Sequence, residues 1–120
     1  MSVLALLGAS ACAEARQGLR VGEQLRAQLL LIAGGAGTVR VHAERPWESI
    51  TFKGARHTLQ ILFEGDDVAG GEALIEAAPD YNFVIPGQLV ADCLIVDVEH
   101  RIADERLTVT VEVLLLEVDE

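Results

Sequence analysis

Apolar and polar residues alternate along two stretches in the last third of the chain, and this pattern predicts two strands. Residues 107–113 read Leu-Thr-Val-Thr-Val-Glu-Val, which directs one set of side chains into a core and the other into water. Residues 90–98 carry a second apolar row, made of Val90, Leu94, Val96 and Val98. A polar turn centred on Ile102 and Ala103 would join the two stretches, so we expect an antiparallel hairpin.

The expected register of this hairpin places one carboxylate on the apolar face. Asp92 falls opposite Val113, where an unpaired charge would be costly. His57 lies on an earlier strand, on the same face as the apolar residues two, four and six positions further on. A His57–Asp92 pair, edged by Trp47 and Tyr81, is therefore the most specific site that the sequence suggests, and a ligand-binding pocket around it would use His57, Asp92, Arg56 and Trp47. The alternative is a bulge at Asp92, or a sheet margin where both side chains reach water.

The rest of the chain predicts helices alternating with short strands. Residues 1–37 have helical periodicity that glycines interrupt, and Asp67 can begin a second helix that ends near Ala78. Residues 45–48 contain proline and are expected to form a turn. The strands expected before the hairpin are residues 38–44, 49–53, 56–64 and 81–85.

These elements predict an α+β fold in the order α-βββ-α-βββ. We expect a mostly antiparallel sheet of about five to six strands with the helices packed on one face. A β-sandwich or a barrel with peripheral helices is the second possibility. The length of 120 residues fits a single domain, with residues 1–37 as a helical N-terminal part and 38–118 as the strand-helix-strand core.

Two apolar segments exceed what a small monomer readily covers. Leu29 and Leu30 belong to a turn that is apolar around its whole circumference, and Leu114 and Leu116 break the alternation of the last strand. A second copy of the chain that uses the same patch would cover them at the lowest cost, so we expect these four leucines to lie in a homodimer interface.

The charge balance narrows the classes of partner. The chain has 9 Lys and Arg residues against 19 Asp and Glu residues, a formal net charge of −10. This acidic balance without a basic cluster disfavours nucleic acid, and no stretch is long enough to span a membrane. Residues 2–13 are apolar but follow no basic residue, so we expect a cytoplasmic protein.

Metal, cofactor and nucleophile motifs are absent from the sequence. His42, His57 and His100 have no ligand spacing, and no metal site or cofactor is expected. Cys12 and Cys93 are too few for a disulfide framework, and both are expected to be small buried residues. The glycines around residue 35 lack the Gly-Lys-Ser/Thr ending of a phosphate loop.

Two segments of the chain resemble known proteins. The segment RPWESITFKGARHTLQILFEG, followed later by IPGQLVADCLIVDVE, resembles a group of short, uncharacterised bacterial proteins over residues 38–118. The resemblance implies that the strand-helix-strand unit is the domain and that the N-terminal helical part is an addition. It implies no activity.

The sequence therefore favours a non-catalytic domain that associates with itself or with another protein. The alternative is a small-molecule binding domain or minor enzyme with a pocket around His57 and Asp92. The two interpretations differ in a testable way, because the pocket requires both side chains on the same side of the sheet.

Overall fold

The computed structural model describes residues 21–118 of the chain, which fold into one antiparallel four-stranded sheet and two helices. The fold is therefore α+β, as the sequence predicts, but with fewer strands than expected. The elements are α1 (residues 21–32), β1 (Thr38–Glu48), β2 (Lys53–Glu64), α2 (Val68–Ala77), β3 (Gln88–Arg101) and β4 (Arg106–Glu117). Short 3-10 turns lie at Gly65–Asp67, Ala78–Asp80 and Ile102–Asp104. The predicted helical periodicity of residues 1–20 lies outside the described residues.

The strand order in the sheet is β1-β2-β4-β3. Two hairpins, β1–β2 and β3–β4, are joined through α2, and their inner strands β2 and β4 pair along eleven residue positions from Gly54–Leu116 to Glu64–Arg106. β1 and β3 are therefore the two edges of the sheet. Both helices contribute leucines to a core that lies on one face of it, so the described residues form a single layer pair rather than a sandwich.

The first half of the sheet contains two strands where the sequence predicts three. Residues 45–48 continue β1 instead of forming a turn, because an edge strand tolerates a proline such as Pro46 that cannot donate to a ladder. The actual turn follows, where the Ser49 amide donates to the Phe52 carbonyl at 2.8 Å and the Phe52 amide donates to Ser49 Oγ at 3.1 Å. The expected strands 49–53 and 56–64 are thus a turn followed by one continuous β2.

Residues 81–85 do not join the sheet either. This extended segment is bound to α1, because the amide of Val84 donates to Gln28 Oε1 at 2.9 Å and the Gln28 side-chain amide donates to the Val84 carbonyl. The backbone N–H and C=O of Val84 are thereby satisfied outside the ladder, which helps to explain why this apolar stretch next to β3 is not a strand.

The predicted β3–β4 hairpin is present, but its register differs from the expected one. The pairs run from Arg101–Arg106 to Gln88–Glu117, with irregularities between Val90 and Asp92 and between Ile95 and Asp97. Each irregularity adds one residue to β3 and reverses the side chains that follow. Cys93 and Ile95 therefore face the core in place of Leu94 and Val96.

The face of the sheet that carries the helices, here called the covered face, is densely packed. All four apolar positions predicted for residues 107–113 are buried on it, at Leu107, Val109, Val111 and Val113. α2 lies so close that a Cβ added at Gly71 would be 2.6 Å from Leu107 Cδ2 and 2.7 Å from Phe63 Cδ2. The core members from the helices and β2 are Leu25, Leu29, Leu74, Leu59, Ile61 and Phe63.

Three of the four leucines predicted to form a dimer interface are buried within the single chain, and the fourth is partly buried. Leu29 is fully buried in the core, and Leu30 packs against the core with part of its surface. Leu114 and Leu116 lie on the opposite face, yet only 9% and 7% of their surfaces are exposed. A single chain therefore covers Leu29, Leu114 and Leu116 without a second copy, and the assignment of the four leucines to an interface stays a prediction.

Candidate functional site

His57 is the one buried charged or polar residue of the core within residues 21–118. It lies on the covered face of β2 with 1% of its surface exposed, between the apolar positions of Val113 and Leu59. A buried imidazole requires partners for both ring nitrogens, since an unpaired polar atom in such a place costs free energy. Two residues of β1 lie beside these nitrogens: His42 at Nδ1 and Glu44 at Nε2.

Four polar side chains form a continuous row at this point, here called the histidine chain: Arg26, His42, His57 and Glu44. Arg26 Nε donates to His42 Nδ1 at 2.7 Å, and His42 Nε2 lies 2.9 Å from His57 Nδ1. At the other end, Glu44 Oε1 lies 3.9 Å from His57 Nε2. The row thus connects α1, β1 and β2 through side chains alone.

The direction of the hydrogen bonds in the histidine chain follows from its arginine end. A guanidinium only donates, so His42 Nδ1 must accept and carries no proton. Neutral His42 then holds its proton on Nε2 and donates to His57 Nδ1, which leaves the proton of His57 on the nitrogen that faces Glu44. All donors therefore point from Arg26 toward the carboxylate.

Both imidazoles of the histidine chain are held in the neutral form. Burial lowers the pKa of His42 from 6.5 to about 4, with further contributions from His57 and Arg26. Burial also lowers the pKa of His57, while Glu44 acts in the opposite direction. A proton added to His42 would have to enter at Nδ1, where the Arg26 N–H already points. The arrangement therefore favours tight packing near neutral pH and resists protonation.

A bulge in β1 builds the histidine chain, and the sequence gives no sign of it. Simple alternation along residues 38–44 puts His42 and Glu44 on the wet face, together with Arg40. In the structure the pairing skips Arg40, between Val39 and Val41, so His42 and Glu44 turn toward the core. Gly22 of α1 allows the close approach, because a Cβ there would lie 3.3 Å from His42 Cε1.

The residues predicted to line a ligand pocket are distributed over both faces of the sheet. His57 faces the helices, whereas Asp92 pairs with Leu114 on the other face and is exposed. The bulge at Ala91 is the cause, and it corresponds to the alternative that the sequence left open. A pocket containing both His57 and Asp92 is not formed.

Arg56 and Trp47 also lie away from His57. Arg56 is on the face without helices and forms an ion pair with Glu112. Trp47, at the end of β1, pairs with Gly54, which is two residues before Arg56 on the same face of the sheet. Arg56 and Asp92 share one row across the sheet, with Leu114 between them, so the structure brings these two together but without the histidine.

Cys93 has none of the properties of a reactive thiol. It is buried on the covered face, and burial together with the neighbouring Asp92 raises the pKa of its thiol to about 11. The thiol is therefore protonated near neutral pH and acts as a small core residue, as expected. Cys12 lies outside the described residues.

The opposite face of the sheet, here called the open face, carries neither helix of residues 21–118 and contains a concave site. A groove of about 360 Å³ crosses all four strands at the end of the sheet next to the β3–β4 turn. Three arginines line it: Arg40, Arg101 and Arg106. Sequence reasoning missed this site, because the three residues are far apart in the chain and only the strand order brings them together.

Two classes of site are not found in the described part of the chain. Among residues 21–118 no group of three or more His, Cys, Asp or Glu side chains could hold a metal ion. No helix within those residues is long and apolar enough to cross a membrane.

No protein family, curated protein or solved structure matches the chain. The resemblance of residues 38–118 to bacterial proteins therefore stays a prediction, and functional inference depends on the geometry alone.

Proposed function

We propose that the protein is a self-associating domain and that two copies pack together through their open faces. The observation that supports this is that both helices of residues 21–118 lie on the covered face. Three large apolar side chains on the open face, Val41, Leu89 and Leu94, are between 46% and 50% exposed. Water contact at so many apolar groups on one surface favours association.

Packing of the faces is favoured over pairing of the edges. β3 is an edge strand of fourteen residues, but its two bulges interrupt the row of free backbone groups. Asp92, Asp97 and Glu99 add negative charge along it, which opposes pairing with an identical strand. The edge at β1 is interrupted in turn by the bulge at Arg40 and by Pro46.

The area of the open face is adequate for a weak to moderate dimer. Four strands spaced about 4.8 Å apart and about ten residues long, at about 3.3 Å per residue, cover about 600 Å² per copy. Two copies would bury about 1,200 Å², which is the lower end of the range for stable interfaces.

Charges on the open face support a specific orientation. Arg45 on β1 and Asp92 on β3 occupy opposite ends of a single row across the sheet, with Arg56 and Leu114 between them. A two-fold axis parallel to the strands would place β1 of each copy over β3 of the other at the same level. Arg45 would then face Asp92 of the second copy.

Light scattering at micromolar concentration tests the proposal with a pair of matched variants. Leu94→Glu puts a charge in the middle of the open face and is expected to convert a dimer into a monomer. Val84→Glu makes the same change at a site that is 72% exposed and outside the sheet, so this control should remain dimeric. A wild-type monomer, or a dimer that survives Leu94→Glu, would contradict the proposal.

The interface proposed here differs from the one expected from sequence. Leu116→Glu is a poor test because Leu116 is buried and the charge would also destabilise the fold. The proposal involves no catalysis, and the cytoplasmic location stays a prediction from the sequence.

A further inference from the structure

The open-face groove collects three of the nine basic residues of a strongly acidic chain. Arg40 comes from the bulge of β1, Arg101 from the end of β3 and Arg106 from the start of β4. The β3–β4 turn places Arg101 and Arg106 directly opposite each other as the first pair of their ladder. The site is thus assembled by the topology and not by a local sequence motif.

Two of the three guanidinium groups are held in place by carboxylates. Arg101 Nε lies 2.9 Å from Glu99 Oε1, and Arg106 Nη2 lies 3.3 Å from Glu64 Oε2. Each of these contacts uses a fraction of the five N–H groups of an arginine, so donors remain for a ligand. Such pairing also lowers the entropy cost of fixing a long side chain when a ligand binds.

Arg40 is the arginine with unbalanced charge. It is exposed and forms no ion pair with any residue of 21–118. The side chains that line the groove comprise three guanidinium groups and one carboxylate, that of Glu99, so the lining is positive in a protein of formal net charge −10. A site that stays positive against the charge of the whole molecule favours an anion.

We propose that this groove binds a small ligand that carries phosphate groups. The planar forks of the arginines match phosphate oxygens, and the side chains of Gln60 and Thr108 add uncharged donors at the floor. Leu62 gives the groove an apolar wall for the rest of the ligand. The volume of about 360 Å³ suits a molecule of metabolite size.

This inference goes beyond self-association and does not depend on it. Titration calorimetry with pyrophosphate at fixed ionic strength tests this inference in the Leu94→Glu variant. The open face of that variant is free whether or not the wild-type protein is a dimer. We expect a dissociation constant of about 1 mM or below. Arg40→Gln in the same background should weaken binding by about tenfold, because it removes a charge-assisted contact.

Two controls distinguish a specific phosphate-binding site from non-specific electrostatic attraction. Lys53→Gln removes one positive charge at the other end of β2, outside the groove, and should leave pyrophosphate binding within about twofold of the parent. Citrate carries a similar charge without phosphate and should bind at least about tenfold more weakly. Binding that is absent at about 10 mM, equal for citrate, or reduced equally by Lys53→Gln would overturn the proposal.

Arg101→Gln gives a second measure of the same site. Arg101 is exposed, so its replacement should leave the fold intact while it also weakens pyrophosphate binding. Full retention of binding in both arginine variants would overturn the assignment even if pyrophosphate binds elsewhere on the protein.

Discussion

The two faces of the sheet are made by the same strands and differ in almost every other respect. The covered face presents aliphatic side chains to two helices and accommodates one polar row, the histidine chain. The open face presents threonines, arginines and carboxylates with a few half-exposed apolar side chains among them. Alternation along each strand, redirected by the bulges in β1 and β3, separates the two surfaces.

The two faces differ in the substitutions that they tolerate. On the covered face, every buried polar side chain of the described residues has a partner, and no space is left for an extra methyl group at Gly71. On the open face, charged groups remain accessible and can exchange one partner for another. The stability of the fold is therefore expected to depend on the covered face, and binding on the open face.

The largest difference is expected for the same substitution made on each face. Leu59→Ala removes a fully buried side chain and should lower the free energy of unfolding by about 2–5 kcal/mol. Leu94→Ala removes a side chain that is 46% exposed and should cost less than about 1 kcal/mol. Urea denaturation of the dilute, monomeric protein measures both. Similar losses in the two variants would refute the division of roles.

A smaller loss is expected from overpacking under α2. Gly71→Ala introduces a methyl group 2.6–2.8 Å from atoms of Leu107 and Phe63, and should cost about 1–3 kcal/mol. Helix propensity alone would make alanine better than glycine by about 1 kcal/mol, so the sign of the change identifies the dominant effect. Ala73→Gly on the exposed side of α2 measures the propensity term by itself. Thermal denaturation of both variants gives the comparison, and a stabilised Gly71→Ala would show that the helix can shift.

The histidine chain makes the stability of the covered face depend on pH. The pKa of His42 is about 4 in the folded protein and 6.5 for a histidine free of these neighbours, so the unfolded chain binds the additional proton between these values. Stability therefore falls as the pH decreases from about 6.5 toward 4, by about 1–2 kcal/mol after allowance for partial solvent screening.

His42→Gln tests this pH dependence. Its unfolding free energy should vary less with pH across the same window than that of the wild type, since the titrating imidazole is gone. His100→Gln removes an exposed histidine outside the histidine chain and serves as the matched control. Parallel slopes in wild type and His42→Gln would contradict the assignment of this pH dependence to His42.

The smallest expected effect concerns charge on the open face. Arg45→Glu would place a carboxylate opposite Asp92 of the second copy and should weaken the dimer by a few-fold to about tenfold. The double variant Arg45→Glu with Asp92→Arg should recover most of the affinity, because the pair is restored with reversed signs. Analytical ultracentrifugation at low salt resolves these differences. A dimer indifferent to both changes would retain the open face as interface but require another orientation.

Much of the fold follows from local pattern, and the exceptions have identifiable causes. β4 alternates without interruption through residue 113, so its core positions could be assigned from sequence, and the helix expected from Asp67 to Ala78 corresponds to α2 and the turn after it. The strand count was wrong because Pro46 lies in an edge strand and because Gln28 binds residues 81–85. Neither fact can be read from neighbouring residues.

The candidate sites were harder to predict than the fold. His57 was correctly placed on the apolar face, but its partners are His42 and Glu44 rather than Asp92. Bulges caused both errors, one at Arg40 and one at Ala91, and a bulge changes the facing of every residue that follows it. The arginine groove depends on strand order, which alternation does not reveal.

The two bulges of β3 also affect how this chain can vary in length. Each of them accommodates one residue that has no counterpart on β4, so loss of a residue near Ala91 or Val96 can be absorbed by straightening the strand locally. The central strands β2 and β4 pair with each other without a bulge, and a deletion there would displace the whole core. Natural insertions and deletions within the sheet should therefore collect along this outer strand.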